Sequence, residues 1–149
     1  MANLTVTLTE SVTLNGSVRG STNQLTITSI NNTYERIVTC TAGQVTFLAE
    51  FSTNAHHASG IRTDLEDVRY IRVTNLASSN VVELSIVGDT TLYQIELGAG
   101  ESHILGNSSA VMLAEADTTP SFGTMRDLSN IQVKPTGSDT DIEIFIASA

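Results

Sequence analysis

Two adjacent histidines and a nearby group of carboxylates are the residues of this chain best suited to chemistry. His56 and His57 precede Asp64, Glu66 and Asp67. Imidazole and carboxylate groups bind zinc and related ions. Consecutive side chains of a strand point to opposite faces, so only a loop would let both histidines bind one ion. Because no His-x-His, paired-cysteine or EF-hand spacing accompanies them, we expect solvated loop histidines and no bound metal.

Nucleophilic and phosphate-binding chemistry lack their usual settings. The sequence has no Gly-x-Ser-x-Gly turn around a serine. The single cysteine, Cys40, lies in a strand-like run from Ile37 to Thr41, which predicts a buried and inert thiol. The run 98–100 (Gly-Ala-Gly) joins two predicted strands and opens no helix, unlike a phosphate loop. We therefore expect neither an enzyme nor a cofactor.

The charge of the chain argues against nucleic acid as a partner. Seven basic residues stand against 16 acidic ones, a net charge of −9, and an acidic surface repels phosphate backbones. Arg69 and Arg72 follow the carboxylates of residues 64–67, so we expect local ion pairs there.

The chain starts without basic residues or a long apolar run. We expect no signal peptide, no membrane anchor and synthesis in a cytosol.

Short segments that alternate apolar and polar residues run along most of the chain. In the segment 141–147, Ile142, Ile144 and Ile146 share one face, as in a half-buried strand. No window shows the 3.6-residue apolar period of a helix. These patterns predict one all-β domain over residues 1–149, an antiparallel β-sandwich of about 8–10 short strands. Without internal repeats, a jelly-roll-like arrangement is favoured over a propeller.

Turn signals suggest which strands are neighbours. Asn15-Gly16 predicts a tight hairpin, because both residues tolerate positive φ. The strands within 68–74, 82–86 and 93–97 are predicted to form a meander of adjacent antiparallel strands. A final hairpin is expected between Ile131-x-Val133 and residues 142–146. The predicted core is Val45, Phe47, Phe51, Ile71, Val73, Leu84, Ile86, Ile95, Leu97, Ile142, Ile144 and Ile146.

Two segments, 52–67 and 115–130, are too long for simple turns. Connections of this length in a compact domain are often functional. Both mix apolar and basic residues with polar ones, as interfaces do. The candidate interface residues are Ile61, Arg62, Leu65, Phe122, Met125 and Arg126. Arg62 and Arg126 would pair with acidic groups of a partner, which makes docking sensitive to salt.

The second half of the chain resembles small virion proteins of tailed phages, in particular marine phages. The resemblance lies in residues 69–76 (RYIRVTNL), 97–102 (LGAGES) and 141–147 (DIEIFIA), and covers about 68–147. In that group a strand of the first kind is followed by two more strands and a turn of the second kind. The pattern consists of core and turn positions, so it carries no functional residues over to this chain.

The resemblance implies a structural component of the particle that is located in the virion. A capsid decoration or cement protein, which binds the major capsid protein or other virion proteins, is the first expectation. Symmetric oligomers are usual for such proteins, and a trimer would suit a three-fold position of a capsid. The alternative is a receptor- or glycan-binding module of a fibre or tail, and behind it a small hydrolase. Tyr34 and Phe122 are the aromatic residues in or beside loops that could stack on sugars, although packing at strand ends is favoured.

Overall fold

The computed structural model describes residues 1–52, 62–89, 92–106 and 127–149. These ranges contain strands and no helix, which confirms the all-β prediction. The strands are β1 (Ala2–Thr9), β2 (Val12–Leu14), β3 (Ser17–Arg19), β4 (Thr22–Ile30), β5 (Asn32–Cys40), β6 (Thr46–Ser52), β7 (Arg62–Asp64), β8 (Val68–Asn75), β9 (Val82–Gly88), β10 (Leu92–Leu97), β11 (Ser102–Leu105), β12 (Leu128–Pro135) and β13 (Thr140–Ser148).

Two sheets pack face to face around the core. The first sheet has the order β5-β13-β8-β11, and the second has β10-β9-β12-β6 with β7 added in parallel at its β6 edge. We number β5, β6 and β8 to β13 from one to eight in chain order. The order of neighbouring strands is then 1-8-3-6 in the first sheet and 2-7-4-5 in the second. This is the strand order of a jelly roll. The expected jelly-roll-like sandwich is therefore confirmed.

Strand neighbours differ from the prediction in two places. β9 and β10 do form an antiparallel hairpin, but β8 lies in the first sheet, so the expected three-strand meander is wrong. The expected final hairpin is wrong too, because β12 belongs to the second sheet and β13 to the first. In both cases the intervening turn crosses between the sheets. The alternation of apolar and polar residues shows which side chains of a strand face the core. It does not show which of the two sheets the strand belongs to, because the alternation is identical in either sheet.

Most of the predicted core is confirmed, with an error in β6. Phe51 and the predicted residues of β8, β9 and β13 are buried, as is Leu97, while Ile95 is partly buried. Val45 and Phe47, however, are 55% and 47% exposed, whereas Leu48 and Ala49 are both buried. The pairing of β6 with β12 skips a residue between Phe47 and Ala49. This β-bulge shifts the alternation by one residue, so Phe47 and Phe51 face opposite sides.

Residues 2–30 form a long two-stranded ribbon, which we call the N-terminal ribbon. β1 pairs with β4 and β2 with β3, and the tip is the predicted Asn15-Gly16 turn, with φ of 50° and 78°. Gly20, at φ 128°, lies where the two pairs join, and a Cβ there would collide with the carbonyl of Glu10. Among the residues that the structure describes, only the base of the ribbon packs on the sandwich, where Ile30 is buried in a small cluster with Tyr70.

Candidate interaction surfaces

Both long segments singled out in the sequence are anchored at the same end of the sandwich. β6 ends at Ser52 and β12 begins at Leu128, and these ends are close because Glu50 and Asn130 are paired. The backbone N–H of Leu65 donates to the carbonyl of Ser52 at 3.2 Å, which brings the start of β8 to this end. The two segments are thus far apart in sequence, but the jelly roll places the strand ends that anchor them close together.

The candidate interface residues fall into three groups. Ile61, Phe122, Met125 and Arg126 lie outside the described residues, as do His56 and His57. Arg62 begins β7, where its backbone is in register with Glu50. Leu65 is buried in the main core, so its side chain holds β7 on the sandwich and little of it is left for a partner.

The outer face of the first sheet carries a groove of about 430 Å³ beside the N-terminal ribbon. One wall is the backbone and side chains of β1, from Leu4 to Leu8. The floor includes Tyr70 and Phe145, whose rings meet edge to face with centroids 6.1 Å apart. Ile104 of β11 forms the far side and remains half exposed. The groove is therefore mainly apolar, with an open strand edge along it.

A short polar network borders this groove. Arg72 forms an ion pair with Glu143 (Nη2–Oε2, 2.8 Å) and donates to the hydroxyl of Thr74 at 2.6 Å. Thr74 in turn is 2.8 Å from the hydroxyl of Ser102. The predicted pairing of Arg72 with the nearby carboxylates of 64–67 is thus wrong, since its partner comes from β13. Arg69 donates to the backbone carbonyl of Glu66 at 2.7 Å.

Asn75, which the sequence analysis passed over, joins three parts of the structure. Its side chain is fully buried, and Nδ2 lies within 2.8–3.1 Å of the carbonyls of Asn80, Leu97 and Gly98. Its Oδ1 accepts from the N–H of Ala77 at 3.0 Å. The backbone of Asn75 also bonds to both Gly100 and Glu101. The 69–76 and 97–102 motifs therefore fold as one unit through this amide.

The edges of the two sheets meet at Tyr93 and His103. Tyr93 is on β10, His103 is on β11, and the hydroxyl lies 2.8 Å from Nε2. Burial raises the pKa of Tyr93 and lowers the pKa of His103. The neutral imidazole is therefore the form that suits this contact, and the pair closes the sandwich on that side.

The free energy of unfolding should fall as the pH is lowered through 6.5 and below, because protonation of His103 is less favourable in the folded protein than in the unfolded chain. The pKa of His103 is lowered in the folded protein from its ordinary value of 6.5. The unfolded chain therefore binds the proton first, and the stabilisation present above that value is lost below it. Urea unfolding at several pH values measures the effect. His103→Asn should flatten the dependence, whereas His56→Asn, His57→Asn should keep it. An equal slope in all three proteins would contradict this role of His103.

The remaining chemical candidates are structural within the described part of the chain. Cys40 is fully buried and burial raises the pKa of its thiol, so the predicted inert cysteine agrees with its surroundings. No group of three or more potential metal ligands occurs among the described residues. Tyr34 packs against the main core, and its hydroxyl accepts from Arg36 at 3.3 Å. Packing of this kind is the role that the sequence favours for Tyr34 over stacking on a sugar.

The fold of the described residues defines the class of this protein as a jelly-roll β-sandwich with an added N-terminal ribbon. Searches with the chain find no match among family models, curated proteins or solved structures. Within the described ranges, no helix is long and apolar enough to cross a membrane. The class thus comes from the strand order alone, and a jelly roll supports many functions.

Proposed function

We propose that this protein is a non-enzymatic structural component of a tailed-phage particle, most specifically a decoration or cement protein of the head. It would be made in the host cytoplasm, assemble into a homo-oligomer, with a trimer favoured, and bind the major capsid protein. It would use neither a cofactor nor nucleic acid. The jelly roll is a fold of viral capsid domains, although it is also found in lectins and cupins.

The observation that carries the proposal is the set of large apolar side chains that are exposed outside the core. Val45 and Phe47 are exposed on the outer side of the second sheet, and Ile37 and Ile104 on the first. The N-terminal ribbon adds further exposed apolar side chains. Single exposed apolar residues are ordinary, but extended groups of them mark protein–protein contact sites. A protein that works by covering a shell needs such surfaces on several sides.

Two further features support the same role. The chain resembles virion proteins over about residues 68–147, and in the structure Asn75 connects two of the motifs that carry the resemblance. The anchors of the long segments 52–67 and 115–130 share one end of the sandwich. We propose that these segments, with Arg62 and Arg126, contact the capsid. Because the net charge is −9, this protein would be attracted to basic groups of the shell, and salt would weaken that binding.

A receptor- or glycan-binding module of a fibre or tail is the second candidate. It is favoured by a polar hollow of about 520 Å³ between the turns at 76–80 and 138–141. Asp139 and Asp141 line it and could accept hydrogen bonds from sugar hydroxyls. Asp141 already accepts from Thr39 at 2.6 Å, and Asp139 from the N–H of Ala42 at 2.9 Å. None of the described residues that line the hollow is aromatic, so this reading ranks second.

Sedimentation with empty heads of the parent phage that lack this protein tests the proposal. The wild-type protein should co-sediment at low salt and less so at high salt, because charged contacts are screened. The double variant Phe122→Ala, Met125→Ala should bind less. Leu92→Ala, a change at an exposed apolar residue outside both segments, serves as the control. If no form co-sediments but the protein binds host cells, the host-binding candidate replaces the proposed function.

A further inference from the structure

The N-terminal ribbon projects from the sandwich as an arm. Every residue from Thr7 to Thr26 is exposed, although the strands on both sides of the tip are regular. We call residues 8–25 the arm. Its larger apolar side chains are between 53% and 73% exposed: Leu8, Val12, Leu14, Val18 and Leu25. An isolated two-stranded ribbon is marginal in water, so an arm of this length with this composition calls for a partner surface.

The apolar face of the arm continues one that is already packed. Leu4 and Val6 share a face of β1 and contact the cluster around Tyr70 on the first sheet. Leu8 lies on the same face of β1, two residues further on, and Leu25 is directly opposite Val6. Each of these two leucines is 53% exposed. The arm therefore offers a strand surface of the kind that the first sheet covers at its base.

We propose that the arm packs against a second copy of this chain, in the groove beside β1 on the first sheet. The inference deepens the proposed function, on whose self-assembly it rests, by naming the element that joins the copies. Within the described residues β1 pairs only with β4, so its groove edge is open to another strand. Strand addition at such an edge gains main-chain hydrogen bonds, and the apolar floor at Phe145 and Ile104 receives alternate side chains.

Charge favours a second copy as the occupant. The arm contains Glu10 and Arg19, which cancel, so the whole net charge of −9 lies outside it. Two copies repel one another through their acidic bodies. The neutral arm is the surface that can be buried between them with the least repulsion. It also has no net charge with which to select a strongly basic partner.

The area that an exchanged arm buries is sufficient for a stable oligomer. Nine residues per strand extend about 30 Å, and a two-stranded ribbon is about 10 Å wide, so its two faces offer roughly 600 Å². In a closed ring each copy gives one arm and receives one. With both faces covered, each copy of a dimer buries roughly 1,200 Å² against its partner, above the ~800 Å² per partner of a standard interface. In a trimer this area is divided between two neighbours, roughly 600 Å² against each, which is at the low end of the standard range. The same exchange closes a dimer or a trimer.

Sedimentation equilibrium over a range of protein concentrations tests the inference. Leu14→Asp, Val18→Asp changes the arm, and Leu76→Asp, Leu92→Asp is the matched control at exposed apolar residues outside the arm and the groove. The wild type should form one defined oligomer. The arm variant should dissociate at least about tenfold more readily, because an unpaired carboxylate is disfavoured in an apolar contact. The control should associate like the wild type. Circular dichroism checks that both variants keep the strand content.

Hydrogen exchange provides an independent measurement on the unchanged protein. Amides of residues 8–25 should be protected at high concentration and exchange faster on dilution. A wild type that stays monomeric, or an arm variant that associates normally, overturns the inference. If the arm variant remains oligomeric but no longer binds empty heads, the arm contacts the capsid, so the inference fails while the proposed function stands. If it loses association but still binds heads, both hold.

Discussion

Replacing Ile144 with alanine should lower the free energy of unfolding by about 2–5 kcal/mol, through lost burial and the cavity left behind. Ile144 is fully buried at the middle of β13, a strand between β5 and β8 in the first sheet. It is in register with Val73 of β8, whose side chain is buried as well. Because β13 has a strand on each side, the surrounding residues can move little into the cavity that the substitution leaves, so the loss should not be small. Urea unfolding, with the slope checked for constancy, measures the loss.

Ile37→Ala is the matched control for this change. Ile37 lies on β5 next to β13, and 62% of it is exposed. Removing the same atoms there should change the free energy of unfolding by no more than about 0.5 kcal/mol. A loss below about 1 kcal/mol for Ile144→Ala would mean that β13 turns its other face to the core.

Asn75→Ala should destabilise the protein by about 3–4 kcal/mol. The change leaves the carbonyls of Leu97 and Gly98 without the amide that now lies 3.1 and 3.0 Å away. It also removes the acceptor of the Ala77 N–H. Each buried polar group left without a partner costs about 1–3 kcal/mol, and relaxation of the turns recovers part of the sum. Chemical unfolding measures the effect.

Two variants sharpen the test of Asn75. Asn75→Asp keeps the shape but places an acceptor where carbonyl oxygens converge, so it should cost at least as much as alanine. Asn23→Ala removes an exposed amide of the N-terminal ribbon whose bond to the Ser21 hydroxyl is 3.2 Å long, and should be nearly neutral. If Asn75→Ala were equally mild, water would be replacing the amide in the turn.

Alternation predicted the strands and, in most of them, the buried face. It succeeded for Ile71 and Val73 of β8, for β9 and for the three isoleucines of β13, because these residues keep a period of two. It failed in β6, where two consecutive core residues, Leu48 and Ala49, straddle a bulge. A bulge depends on the partner strand, which a local pattern does not contain. For the same reason the sequence could not tell that β8 and β9 belong to different sheets.

The surfaces were harder to predict than the core. The N-terminal ribbon has the same alternation as a half-buried strand pair, yet Leu25 is 53% exposed. Exposure of this kind is a property of tertiary placement. Asn75 did leave a local signal, namely a lone amide that closes an apolar strand just before a turn. Its several partners, however, come from distant residues that only the jelly roll brings together.

A cryo-EM map of the parent particle is the most direct test of the central claim that this protein is a structural component of a phage head. We expect the jelly roll at symmetry-related positions on the outside of the head, with the segments 52–67 and 115–130 facing the capsid. Density for the protein only at a fibre or tail tip, or none in the particle, would contradict it.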